Sequence, residues 1–125
     1  MDAPSQKPPL EYTSVMSRLP PALASTLSQL EKGLKGLYGA RFRGLLLYGF
    51  YARGEATEGS DVDLLLLLDG PVNLSQEILR IEPLKWPLGL AADALLAVVP
   101  VSYQKFQAAE SSFLYTVREE AIPAA

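Results

Sequence analysis

Three short runs of almost wholly apolar residues constrain the fold of this chain more than any other feature of its sequence. They are Phe42 to Tyr48, Val62 to Leu68 and Ala92 to Val101. Runs of this length without polar alternation predict strands that are buried in a sheet. Buried strands need covering layers, and the segments between them must therefore supply helices.

Apolar residues do recur at helical spacing in those segments. Gly39 is expected to end the first predicted helix, and Pro83 and Pro87 to end the second. Tyr51 to Gly59 is polar and contains several glycines, which predicts a brief helical turn followed by a loop. The predicted helices are Pro21 to Tyr38, Leu74 to Trp86, and a third that contains Phe106 to Val117 and has Ser102 as its candidate cap.

The predicted order of elements is helix, strand, strand, helix, strand, helix. This order predicts an α/β (α+β) fold with a small mixed β-sheet and helices packed against it. A chain of 125 residues has room for one modest core. We predict a flexible arm at residues 1–12, where prolines lie among polar residues, and one domain over residues 13–125.

The composition excludes several kinds of chemistry. The chain has no cysteine and no histidine, which rules out disulfides, cysteine nucleophiles and the commonest general base. A metal would have to be held by oxygen, which favours magnesium or manganese over zinc. The net charge of −3 argues against non-specific binding of nucleic acid through bulk electrostatics, although it leaves a local basic patch open. Direct binding of nucleic acid is not expected.

Neither a membrane segment nor a secretory leader is expected. The longest wholly apolar run, Ala94 to Val99, has six residues, whereas a membrane-spanning helix needs about 20. Residues 1–12 contain one lysine and no apolar segment, a pattern untypical of a secretory leader. We therefore predict a cytoplasmic protein.

Two aspartates at the start of the second apolar run carry the main chemical prediction. Asp61 and Asp63 lie two residues apart, and residues at that spacing in a strand point to the same side. Their carboxylates would repel by about 2–3 kcal/mol at an effective dielectric constant near 20. A divalent cation turns this repulsion into attraction, as in a magnesium site completed by water and substrate phosphates. In the plainer interpretation, the two residues belong to a turn and a strand start.

The glycine after the first apolar run predicts a phosphate-binding turn. Gly49 ends the strand, and the chain then enters a short helical turn at Phe50 to Gly54. Free backbone N–H groups at such a start attract phosphate oxygens, and Arg53 can neutralise phosphate charge. Alternatively, Gly49 is a turn glycine and Arg53 a surface cation.

A third acidic residue, Asp93, lies at the head of the third apolar run without a local counter-charge. A carboxylate that enters a buried strand is costly unless it is paired or bound to a metal. Beside Asp61 and Asp63, it would complete a site of three carboxylates and two metal ions. If the strand begins later, Asp93 is a solvated residue instead.

The segment LLLYGFYARGEATEGSDVDLLLLLD, residues 45–69, resembles the minimal nucleotidyltransferase (MNT) domains of the DNA polymerase beta superfamily. The family pattern is glycine-serine, ten residues and then Asp-x-Asp, often with ARGEA and GSD in the gap. This chain has ARGEA at residues 52–56, the GSD string, and both aspartates at that spacing. The resemblance implies the polymerase beta-like nucleotidyltransferase fold.

The resemblance also implies the roles of individual residues. Catalytic and metal-binding roles fall on Asp61, Asp63 and Asp93, which would hold two Mg²⁺ ions or, alternatively, Mn²⁺. A nucleoside triphosphate, in the first instance ATP, would bind at Gly49, Phe50, Arg53 and Ser60. For Ser60, a role as a turn or capping hydroxyl is the alternative.

Phe50 departs from the family pattern, because it stands where the family has serine. It keeps the backbone N–H, loses the hydroxyl and adds a bulky ring. The leading hypothesis is a magnesium-dependent enzyme that transfers AMP from ATP to a hydroxyl of a HEPN-type helical partner, as the antitoxin of a toxin–antitoxin pair. The second, motivated by Phe50, is a catalytically impaired binding module that neutralises the helical toxin by contact. The third is a small-molecule nucleotidyltransferase, for which a homodimer or a separate subunit would have to supply the acceptor site.

Overall fold

A four-stranded mixed β-sheet forms the centre of the structure, a computed structural model that describes residues 19–125. The arm predicted for residues 1–12 lies outside the described residues. In chain order, the elements are α1 (Pro21–Tyr38), a 3₁₀ turn (Gly39–Arg41), β1 (Phe42–Tyr48), α2 (Gly49–Arg53), β2 (Val62–Leu68), α3 (Leu74–Ala92), β3 (Leu96–Ser102), α4 (Tyr103–Ala108), α5 (Ser112–Glu120) and β4 (Ile122–Pro123).

The strands lie in the order β3-β2-β1-β4. β1 runs antiparallel to β2 and β4, whereas β2 and β3 run parallel. A parallel pair needs a crossover connection, and α3 supplies it. The predicted fold class is therefore confirmed, as are the predicted bounds of α1, β1 and β2.

Alternate residues of β2 face two different helical layers, because side chains along a strand point to opposite faces. One set joins the main core, together with leucines of α1 and Ile81 of α3. The other set packs against Val117 of α5 and against residues of α4. The first set is Leu64, Leu66 and Leu68, and the second is Leu65 and Leu67.

Helix α3 is longer than the sequence predicted. It continues to Ala92 through Pro83 and Pro87, so the prediction that these prolines end the helix is wrong. Both prolines lie on the exposed face, where carbonyls that lose their helical partners can bond to water. The opposite face buries Ile81 and Gly89, and this packing outweighs the local preference of proline.

The third apolar run forms a strand that starts later than predicted, at Leu96 instead of Ala92. The helix predicted after it is two helices, because Ala109 adopts a left-handed conformation with φ of 50° between α4 and α5. Ser102 caps α4 as predicted and accepts a hydrogen bond from the N–H of Lys105 at 3.5 Å. Every helix within residues 19–125 is too short or too polar to cross a membrane.

Candidate functional site

The end of β1 and the start of β2 meet at the candidate site. Tyr48, the last residue of β1, pairs with Asp63 of β2, so the turn that follows β1 lies beside Asp63. Gly49 begins this turn with φ of 76°, and a β-carbon there would overlap Oδ2 of Asp63. Glycine alone combines this backbone conformation with so close a carboxylate. The structure thus brings together two of the predicted site residues.

Asp61 and Asp63 are the predicted acidic pair. Asp61 is exposed immediately before β2, and Asp63 is half-buried within the strand. Burial first, and the negative charge of Asp61 second, raise the pKa of Asp63, while Arg53 opposes the shift. A cation bound here would relieve the repulsion between the two carboxylates. Oxygen donors of this kind fit a magnesium ion, which takes few protein ligands and completes its shell with water and phosphate.

The carboxylate of Glu120, the last residue of α5, contacts the two groups predicted to bind phosphate. Its Oε2 accepts a hydrogen bond from the N–H of Gly49 at 2.8 Å. Arg53 donates from Nη1 to Oε1 and Oε2 of Glu120 at 3.1 and 3.3 Å. Arg53 also donates from Nε to Glu55 at 3.0 Å. Sequence reasoning missed Glu120, because no local pattern joins a residue to a partner 71 positions away.

Helix α5 reaches the site with an aromatic ring as well as a carboxylate. Phe113 packs edge-on against Tyr48, with 5.8 Å between the ring centroids. Burial first, and then the charges of Asp63 and Glu120, raise the pKa of the Tyr48 hydroxyl. The site is acidic, because Asp61, Asp63 and Glu120 all lie there, and Arg53 forms ion pairs with Glu55 and Glu120.

Phe50, which replaces the family serine, does not enter the core. Its side chain is 51% exposed, and its ring lies 5.0 Å from the guanidinium carbon of Arg53. A cation over an aromatic face at this distance is weakly attractive at an exposed position. Phe50 therefore lies on the surface beside one of the predicted phosphate-binding groups.

The hydroxyl of Ser60 closes a local turn. It accepts a hydrogen bond from the N–H of Thr57 at 2.9 Å, and the N–H of Ser60 donates to the carbonyl of Thr57 at 3.0 Å. This arrangement corresponds to the alternative interpretation of Ser60 as a turn hydroxyl. A nucleotide-binding role for Ser60 stays a prediction.

Asp93 does not lie at the head of a strand, so that prediction is wrong. It is an exposed residue that ends α3 in a left-handed conformation, with φ of 52°, a conformation that aspartate tolerates better than most residues. Asp93 lines an open cavity of ≈ 530 Å³ together with Tyr51. The β3 residue that pairs with Asp63 is Ala97, which has no carboxylate. Among residues 19–125, no three acidic side chains are close enough to hold a metal ion together, so the predicted three-carboxylate, two-metal site is not assembled.

Comparison with known protein families gives a match over most of the chain. Residues 27–117 match the family model described as "Nucleotidyltransferase domain". The chain belongs to the nucleotidyltransferase domain family. The matched part of this nucleotidyltransferase domain runs from α1 to α5 and includes the glycine turn and the acidic pair. The predicted resemblance is thereby confirmed.

A shorter segment of the nucleotidyltransferase domain is similar to a protein of Methanocaldococcus jannaschii named "Putative protein adenylyltransferase". The two are 40% identical over 43 residues, which is 34% of this chain and 43% of the relative. The match thus spans less than half the length of that relative. Its name agrees with the prediction that this nucleotidyltransferase domain belongs to an enzyme.

Proposed function

We propose that this nucleotidyltransferase domain transfers AMP from ATP to a hydroxyl group in a magnesium-dependent reaction. The observation that carries the proposal is the contact between the carboxylate of Asp63 and Gly49, with Asp61 beside them, in a chain of this family. In the reaction, a bond forms between the acceptor oxygen and the α-phosphorus of ATP. The bond from that phosphorus to the bridging oxygen breaks, and pyrophosphate and a proton are released.

In this proposal, one pair of site residues binds the metal and another pair binds phosphate. Asp61 and Asp63 would hold magnesium, which supplies positive charge for the triphosphate and for the leaving pyrophosphate. The N–H of Gly49 and the guanidinium of Arg53 would bind phosphate oxygens. Asp93 is not included, because it does not gather with the other two aspartates.

The acceptor in this proposal is a hydroxyl on another protein. Support comes from the name of the relative, which describes a protein adenylyltransferase. The resemblance to MNT domains suggests a HEPN-type helical partner and a role as its antitoxin. The hydroxyl is then a side chain of that partner, with tyrosine as the first candidate.

A contact-only antitoxin is the second candidate. Two observations favour it: Glu120 already occupies Gly49 and Arg53, and Ala97 stands where a third carboxylate could have joined Asp63. In this case the domain binds the helical partner without modifying it. The two candidates differ in whether the acidic pair is needed for protection against the toxin.

Labelling of the partner distinguishes these candidates. The full chain is incubated with a HEPN-type helical protein, magnesium and ATP labelled at the α-phosphate. Asp63→Asn is compared with Asp69→Asn, a matched change at the opposite end of β2, where Asp69 pairs with Gln104 and Arg43.

The proposed transferase labels the partner, Asp63→Asn loses the label, and Asp69→Asn retains it. Chelation of magnesium should also remove the label. If the wild type and Asp63→Asn protect equally against the toxin and neither labels it, the contact-only antitoxin is correct.

A further inference from the structure

We infer that Glu120 is an intramolecular competitor of the triphosphate, whose carboxylate holds Gly49 and Arg53 until the nucleotide displaces it. The inference rests on the proposed function, because it takes these two residues as the phosphate-binding groups. It adds a control on access to the site: nucleotide binds only to the fraction of molecules in which the Glu120 side chain has moved away.

The contacts of Glu120 are those that a phosphate oxygen would make. Its Oε2 accepts from the N–H of Gly49 at 2.8 Å, and both of its oxygens accept from Nη1 of Arg53 at 3.1 and 3.3 Å. Carboxylates and phosphates compete for the same arginine and N–H donors. A triphosphate therefore cannot use these donors while Glu120 holds them.

The charge of Glu120 adds to the geometric block. Asp63 lies against Gly49, and Arg53 is already paired with Glu55 as well as with Glu120. With one cation shared between two carboxylates, the turn offers an incoming polyanion no net attraction. Removal of the Glu120 charge leaves Glu55 as the one ion-pair partner of Arg53 among residues 19–125.

Release of Glu120 requires little rearrangement. The side chains of Arg53 and Glu120 are 38% and 22% exposed, and ion pairs that reach solvent are weak. The chain beyond Glu120 is fixed independently, because Ile122 pairs with Leu47 in the sheet and is buried. The side chain can therefore rotate away while the backbone of β4 stays in place.

A different role for Glu120 would give the opposite result. The charge of Glu120 acts on Asp63 and helps to raise its pKa, so the side chain approaches the acidic pair from α5. If Glu120 assisted a metal bound at Asp61 and Asp63, its removal would weaken nucleotide binding. The change in nucleotide affinity on removal of the Glu120 charge therefore distinguishes the two roles: affinity rises if Glu120 competes with the nucleotide and falls if it assists the metal.

Calorimetric titration of the full chain with inorganic triphosphate, in the presence of magnesium and at low ionic strength, makes that measurement. Glu120→Gln removes the charge and keeps the size of the side chain. Glu119→Gln is the matched control, since Glu119 is an exposed neighbour on α5 that makes no ion pair or side-chain hydrogen bond within residues 19–125. The NMR resonance of the Gly49 amide reports the replacement of the Glu120 carboxylate by triphosphate, independently of catalysis.

We expect Glu120→Gln to bind triphosphate about three- to tenfold more tightly than wild type, and Glu119→Gln to bind as wild type does. The Gly49 amide should shift both in Glu120→Gln and when triphosphate is added to wild type. Equal or weaker binding by a folded Glu120→Gln overturns the inference and leaves the proposed function standing, provided that wild type binds. If no variant binds triphosphate or ATP with magnesium, the proposed function fails and the inference fails with it.

Discussion

The carboxylate of Asp63 occupies the space that a β-carbon on Gly49 would need. This contact joins the turn after β1 to the first residues of β2, the two parts of the chain that carry the family pattern. It also explains why glycine stands there, since the position has φ of 76° as well as no room for a side chain.

Gly49→Ala should therefore damage both stability and the site. A non-glycine residue in the left-handed region costs about 1–2 kcal/mol, and the new methyl group must also push the Asp63 carboxylate away. We expect the free energy of unfolding to fall by at least that amount. Labelling in the proposed assay should fall more than tenfold, because displacement of the Asp63 carboxylate weakens stabilisation of the transition state, and about 1.4 kcal/mol of that stabilisation corresponds to a factor of ten in rate. Urea unfolding and the labelling assay measure the two effects.

Gly36→Ala is the control for this prediction. Gly36 lies in α1, and a β-carbon there would meet nothing within 4 Å. The change should raise the free energy of unfolding by about 0.5–1 kcal/mol, because alanine is the better helix former. A Gly49→Ala variant as stable and active as Gly36→Ala would contradict the assigned contact.

The pKa of Asp63 predicts how stability depends on pH. Burial and Asp61 raise this pKa above its ordinary value, so the folded protein binds the proton more tightly than the unfolded chain does. The free energy of unfolding therefore increases as pH falls through the pKa of Asp63 in the folded protein. At neutral pH, the charged Asp63 carboxylate destabilises the fold. Asp63→Asn should be more stable than wild type at pH 7, by less than about 1 kcal/mol for a half-exposed group, and this advantage should vanish in acid.

Magnesium should reverse the order of the two proteins. A cation that binds the folded state stabilises it by mass action, and Asp63→Asn lacks one of the two proposed ligands. Urea unfolding with and without magnesium, at pH 7 and at pH 4, checks both expectations. Equal stabilisation of wild type and variant by magnesium would show that the ion does not bind at Asp63.

Tyr38 and Glu77 form a buried contact far from the site. The Tyr38 hydroxyl donates to Oε1 of Glu77 at 2.6 Å, and burial followed by this contact raises the pKa of Tyr38. Arg41 and Arg80 lie 3.6 and 3.8 Å from the carboxylate of Glu77. Tyr38→Phe leaves the ion pairs but removes one donor, so the free energy of unfolding should fall by about 1–2 kcal/mol.

Triphosphate affinity should not change in Tyr38→Phe. Tyr38 lies near the start of β1, whereas the site lies at its end, about 20 Å along a strand of this length. Tyr115→Phe is the control, because Tyr115 is 60% exposed and such surface changes stay within about 0.5 kcal/mol. A loss of affinity in a stable Tyr38→Phe would mean that the two ends of the sheet are coupled.

The periodicity of apolar residues predicted those elements whose local sequence pattern matches their burial in the fold. α1 and the strands β1 and β2 have the predicted bounds, since their apolar patterns match the burial that they find in the fold. The predicted end of α3 was wrong because of Pro83 and Pro87. The loss of helix stability that a proline causes depends on which face of the helix it occupies. Only the packing of Ile81 and Gly89 fixes that face.

In the candidate site too, the residues within a local sequence pattern were predictable, and those placed by tertiary packing were not. Gly49, Asp61 and Asp63 were predictable members of the candidate site, because one continuous sequence pattern contains all three. Gly49 directly follows β1, Asp61 directly precedes β2, and Asp63 lies within β2. Asp93 was misplaced because the pattern of its neighbours does not reveal that α3 continues to Ala92. Glu120 could not be found at all, since its contact with Gly49 depends on how α5 packs across the sheet.

Phe50→Ser tests whether the departure from the family pattern limits the activity. Serine restores a hydroxyl that can donate to a phosphate oxygen, and it removes the ring that lies 5.0 Å from the guanidinium of Arg53. Phe50→Ala removes the ring alone and is the matched control. A hydrogen bond at an exposed position contributes about 1 kcal/mol, so Phe50→Ser should bind ATP with magnesium about fivefold more tightly than Phe50→Ala. Calorimetric titration measures both, and equal affinities would show that this position has no role in holding phosphate.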